Sequence, residues 1–87
     1  MEPYIFSFRD GGGTVEVANL GGSKTLVILE FSGEANTYYY NGSNLSPIEI
    51  NLDYSIECYM EDGALWLYAD TSLGGTAYIR TIEVNWN

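Results

Sequence analysis

The sequence predicts an all-β fold, and three observations predict it. The first is alternation. Ile48–Met60 reads I-E-I-N-L-D-Y-S-I-E-C-Y-M, with every even position (Ile48, Ile50, Leu52, Tyr54, Ile56, Cys58, Met60) apolar or aromatic. Every odd position except Tyr59 is polar or charged. Successive side chains of a strand point to opposite faces, so a period of two marks one long, half-buried strand; at helical spacing the same residues would spread round the axis. The second is punctuation: Gly and Asn gather between the apolar runs, where turns need them. The third is that no segment carries a 3.6-residue period. Several short strands at this spacing predict a small antiparallel β-sandwich of about seven strands, Ig-like or jelly-roll-like, with a small barrel as the alternative.

The elements follow in order. Pro3–Arg9 alternates Tyr4, Phe6 and Phe8 against Ile5, Ser7 and Arg9, and Gly11-Gly12-Gly13 ends it. Thr14–Ala18 sets Val15 and Val17 on one face, before a turn at Asn19-Leu20-Gly21-Gly22. Lys24–Phe31 contains Leu26-Val27-Ile28-Leu29, apolar on both faces, which predicts a central strand covered on both sides. Thr37–Tyr40 follows the Ser32–Asn36 loop, and Asn41-Gly42-Ser43-Asn44 turns the chain toward Pro47, where the long strand opens. Ala64–Ala69 and Gly75–Trp86 complete the set.

One hairpin can be registered from sequence. Asp62-Gly63 is a strong signal for a two-residue type I′ turn. With those residues at the tip, Glu61 faces Ala64, Met60 faces Leu65, Tyr59 faces Trp66, Cys58 faces Leu67, Glu57 faces Tyr68 and Ile56 faces Ala69. The faces then separate cleanly. Ile56, Cys58, Met60, Leu65, Leu67 and Ala69 form an apolar face, and Glu57, Tyr59, Trp66 and Tyr68 form the other.

Length bounds the energetics. Residues 1–87 make one domain, and a chain this short buries only ~60–65% of its unfolded surface. The single cysteine, Cys58, forms no internal disulfide, and the absence of histidine removes the usual structural zinc sites. Stability must come from apolar burial, within the chain or shared with another. The apolar fraction of 46% excludes disorder.

Charge narrows the partners. Twelve acids face three bases, Arg9, Lys24 and Arg80, for a net charge of -9. Direct nucleic-acid binding is disfavoured, because phosphate contacts need Lys and Arg, and so is an anionic membrane surface. A basic protein partner is compatible. No basic stretch followed by an apolar core opens the chain, so no signal peptide is expected, and no apolar run approaches the ~20 residues of a membrane span. The start at Met1 fits a small stand-alone gene product, located in the cytoplasm or a virion.

The residues that could carry a function are aromatic. Tyr59, Trp66 and Tyr68, with Glu57 beside them, make a platform suited to a sugar ring or a partner's side chains, since Tyr and Trp dominate interface hot spots. The plain alternative is that a loop covers them. Tyr38-Tyr39-Tyr40 cannot all point inward; with Tyr38 and Tyr40 in the core, Tyr39 turns outward as a further binding residue. Asn41-Gly42-Ser43 and Asn44-Leu45-Ser46 match the glycosylation pattern by coincidence of composition.

Catalysis and metals are not expected. Cys58 lies on the apolar hairpin face without a histidine to activate it. No pair of carboxylates marks a glycosidase cleft, and Glu61-Asp62 and Asp70 form no dense oxygen-ligand loop for calcium. Arg80 shares the Tyr78/Ile82/Val84/Trp86 face of the last strand; if that face is core, Arg80 must pair with an acid or extend outward.

These observations lead to the expectation of a non-enzymatic binding or assembly protein without a cofactor. It would engage a copy of itself or a basic protein through Tyr39, Glu57, Tyr59, Trp66 and Tyr68. Size and composition suit a virus or phage accessory protein, either a virion component or an acidic inhibitor. A carbohydrate-binding module is the alternative.

Overall fold

Alternation decides which side chains meet between sheets. In the computed structural model, which describes residues 2–9 and 11–84, Val27, Leu29 and Phe31 are buried while the intervening Leu26, Ile28 and Glu30 are half-buried. Among the described residues eight strands form by this rule: β1 (Tyr4–Ser7), β2 (Gly13–Asn19), β3 (Thr25–Phe31), β4 (Glu34–Tyr40), β5 (Leu45–Glu49), β6 (Ile56–Glu61), β7 (Ala64–Ala69) and β8 (Thr76–Glu83). They pair as a five-stranded antiparallel sheet, β1-β8-β3-β4-β5, and a three-stranded one, β2-β7-β6. The sheets remain separate, so the fold is a small β-sandwich and not a closed barrel. Among the described residues there is no helix, hence none long and apolar enough to cross a membrane.

The core lies between the sheets. Val27, Leu29, Phe31, Tyr38, Ala77 and Ile79 enter from the larger sheet, and Ile56, Cys58, Leu65, Leu67 and Ala69 from the smaller. Phe8 and Leu52, on connecting segments, close its ends. Tyr38 and Tyr40 are buried and Tyr39 faces the other way, as the three-tyrosine run predicts. The Tyr40 hydroxyl meets the carbonyls of Gly21 and Gly42, tying the β2–β3 turn to the β4–β5 turn.

The β6–β7 hairpin has the predicted register, from Ile56↔Ala69 to Glu61↔Ala64. Asp62 and Gly63 both have positive φ, 50° and 78°, as a type I′ turn requires. Gly63→Val is therefore expected to destabilise the fold by ~1–3 kcal/mol, because a β-branched residue is strained in the left-handed region. A chemical denaturation midpoint equal to the parent's would refute the turn.

The long alternating strand does not survive. Ile48–Met60 is two strands in different sheets: β5 ends at Glu49, and β6 starts at Ile56. Pro47 lies inside β5, an edge strand with a bulge between its pairings to Thr37 and Tyr38, and does not open a long strand. The cause of the break is tertiary. Asn36, buried on β4, accepts the N–H groups of Asn51 (2.8 Å) and Leu52 (2.9 Å) on its Oδ1. Those bonds hold the chain as it crosses from one sheet to the other. The alternation continues through the crossing but no longer reports burial: Leu52 is buried, whereas Ile48 and Ile50 are 60% and 53% exposed.

Two further expectations change. β3 is central in its sheet, but its outer face is only half-buried, and among the described residues no other element lies over it as a second layer. In β8 the core face is Ala77, Ile79 and Thr81, so Tyr78, Arg80 and Ile82 face outward. Arg80 approaches Glu30 at 3.8 Å with both side chains well exposed, a pair worth little in water. The expected end of this strand at Trp86 lies outside the described residues.

Candidate functional site

The outer face of the three-stranded sheet is built by two registers. β6 is opposite β7 through the hairpin turn, and β2 pairs with the other side of β7. Directly opposed residues of an antiparallel pair share a face. Two rows result across the sheet: Glu16–Trp66–Tyr59 and Thr14–Tyr68–Glu57. Trp66 and Tyr68 thus occupy the central strand, each with a carboxylate on one neighbouring strand. Glu61, at the end of β6, adds a third acid facing the same way. None of the three strands contains Lys or Arg.

The rings of Tyr59 and Trp66 are stacked, with centroids 6.4 Å apart and planes 14° from parallel. Tyr68 is 39% exposed, Glu57 is exposed, and Tyr59 and Trp66 are half-buried, so the face meets solvent. Glu57, Tyr59, Trp66 and Tyr68 are therefore gathered as their spacing predicts. Tyr39 is not with them: it projects from the five-stranded sheet, on the opposite outer face of the sandwich. Glu16 was not among the predicted site residues. The alternation of Val15 and Val17 already turned it outward, but only the β2–β7 pairing sets it beside Trp66.

A groove of about 580 Å³ opens next to this face, along the side of the sandwich where β5 and β6 are the sheet edges. Leu45, Pro47, Ile50 and Met60 line it, and Glu57 and Tyr59 belong to both groove and platform. Its floor is polar but fully engaged. Asn36 Nδ2 donates to the Tyr38 hydroxyl at 3.2 Å, and the same oxygen accepts the Cys58 N–H at 3.5 Å. The Ile56 N–H donates to the Tyr54 carbonyl at 2.9 Å. Two edge donors of β6 are thus occupied from within the chain, which blunts the edge against strand addition. Among the described residues no buried side-chain nitrogen or oxygen lacks a hydrogen-bond partner.

The reactive groups are quiet. Burial, assisted by the Glu57 charge, pushes the Cys58 thiol up to about 12, so it is neutral at physiological pH and not a nucleophile. Burial likewise raises the Tyr38 hydroxyl, the largest of several influences on it. Asp70 is held below the usual carboxylate range by the Ser72 N–H and hydroxyl, both 2.8 Å from its Oδ1. That carboxylate serves its own turn. Asn41 does the same, accepting the N–H groups of Ser43 and Asn44. Among the described residues no three His, Cys, Asp or Glu side chains are grouped to hold a metal ion.

An antiparallel sandwich with an acidic aromatic face is the class that fold and site define. Comparison with family models, curated proteins and solved structures returned no match. The functional reading therefore rests on the chemistry of this face.

Proposed function

We propose that this chain is a non-enzymatic binding protein that engages a basic protein partner through the outer face of its three-stranded sheet. The observation that carries the proposal is the row Glu16–Trp66–Tyr59, on strands that contain no cation. A Lys or Arg side chain set over Trp66 gains from the π face of the indole and from the flanking carboxylates together. Tyr68 and Glu57 repeat the combination one row away. The adjoining groove supplies apolar contact for the same partner. The net charge of -9 favours encounter with a cationic surface at long range. A basic protein whose own ligand is a nucleic acid fits this chemistry, because clustered carboxylates compete with phosphates for the same cations.

A carbohydrate ligand is the second reading, supported by the near-parallel Tyr59 and Trp66 rings with Glu57 at their border. Titration with a Lys/Arg-rich peptide separates the two. Binding should weaken as salt rises, and Trp66→Ala should weaken it by ~30-fold, about 2 kcal/mol, with an unchanged far-UV spectrum. Salt-indifferent binding on a glycan array, without peptide binding, would favour the sugar. Peptide affinity unaffected by Trp66→Ala would remove the assignment of this face.

A further inference from the structure

The opposite outer face has a different character. Alternation in β3, β4 and β8 turns Leu26, Ile28 and Glu30, Ala35, Thr37 and Tyr39, and Tyr78, Arg80 and Ile82 away from the core. The registers align them in three rows: Ile82–Leu26–Tyr39, Arg80–Ile28–Thr37 and Tyr78–Glu30–Ala35, with Ile5 of β1 opposite Tyr78. Ile5, Ile82 and Tyr78 are 62%, 44% and 36% exposed. The middle of a five-stranded sheet is thus an open, largely apolar surface.

Its charge is also unlike the rest of the molecule. Arg80 lies on it, and Lys24, one residue before β3 and in phase with Leu26, lies at its end. These are two of the three bases in the chain. Glu30 and Glu49, the latter opposite Thr37, are the acids in its rows. The face therefore carries no net charge on a chain of net charge -9.

We propose that this face binds a second copy of the chain, forming a dimer through two five-stranded sheets. It is a broad apolar surface without net charge, on which two such acidic chains meet with their excess acids elsewhere. The alternative packing, this face against the acidic face of another copy, lacks complementarity, because Lys24 and Arg80 are already balanced by Glu30 and Glu49. The footprint suits a weak, reversible dimer. The five strands are four to eight residues long; at ~4.8 Å between strands and ~3.3 Å per residue they cover about 490 Å² per copy, and about 980 Å² in total is the scale of transient interfaces. This dimer is independent of the basic-partner reading, which uses the other face.

Sedimentation of the full chain from about 1 μM to about 500 μM tests the proposal. A monomer–dimer equilibrium is expected, and the dimer should tighten with added salt as repulsion between the remaining acids is screened. Ile82→Glu should raise the dimer dissociation constant by about 30-fold or more, the scale of an interface hot spot. Ile5→Glu, on an edge strand and more exposed, serves if the first variant folds poorly. Trp66→Ala should leave the dimer intact. A monomer at every concentration would overturn the proposal. So would open-ended oligomers that salt dissolves, or a dimer lost with Trp66→Ala and kept with both glutamate variants.

Discussion

Leu67→Ala is expected to destabilise this protein by ~2–5 kcal/mol, the range for removing a fully buried leucine side chain. Leu67 has no exposed surface and lies at the centre of the smaller sheet, flanked on β7 by the equally buried Leu65 and Ala69. A three-stranded layer has few ways to close around a lost isobutyl group, because its central strand supplies its fully buried row. A domain of this length is stable by only ~4–13 kcal/mol, so the loss is a large part of the whole. The melting temperature should fall by at least about 8 °C. Tyr68→Ala, one residue away on the solvent face, is the control and should cost much less. If Leu67→Ala melts with the parent, Leu67 is not core and the hairpin faces the other way.

Alkaline pH should destabilise the fold through Cys58. The thiol titrates at about 12 when folded, against an ordinary value of 9.0. The unfolded chain therefore loses this proton at lower pH than the folded one. Where the folded state binds more protons, stability falls as pH rises. The contribution is fully present below pH 9.0, declines above it, and levels off once pH passes the folded value near 12. One pH unit is worth ~1.4 kcal/mol, so by about pH 10.5 the loss is ~2 kcal/mol. Tyr38, whose hydroxyl is also raised by burial, acts in the same direction. Cys58→Ala removes the titrating group, and its denaturation midpoints should fall less steeply between pH 9 and about pH 10.5 than the parent's. Equal slopes would mean that the thiol is solvated in the folded state.

Both results follow from a β6–β7 hairpin that was legible in the sequence, because its determinants are local. Asp62-Gly63 sets a two-residue turn with positive φ, and alternation on each side then assigns every residue to a face. Glu57, Tyr59, Trp66 and Tyr68 were located together for that reason. The same locality explains the Tyr38-Tyr39-Tyr40 assignment, since three consecutive strand residues must alternate.

What only the tertiary structure decided involves contacts between distant segments. Alternation says that two faces differ; it does not say which sheet a strand joins or where an extended chain leaves one sheet for another. Ile48–Met60 keeps its period of two in sequence across the break, although Asn36 captures the Asn51 and Leu52 N–H groups and the chain bends at Tyr54 and Ser55. Arg80 faces outward because β8 turns Ala77, Ile79 and Thr81 toward the second sheet, and the small, buried Ala77 sits where the longer Tyr78 could have been placed by pattern alone. Glu16 reaches Trp66 through a pairing that spans fifty residues of sequence (from 16 to 66), and Tyr39 is separated from the platform by the whole thickness of the sandwich. The sequence by itself thus determined the all-β class, the hairpin and its faces, because period and turn chemistry act between near neighbours. Sheet membership, the crossing, and the division of the outer surface into an acidic aromatic face and a neutral apolar one depended on which strands pair. That choice is made by burial summed over the whole core.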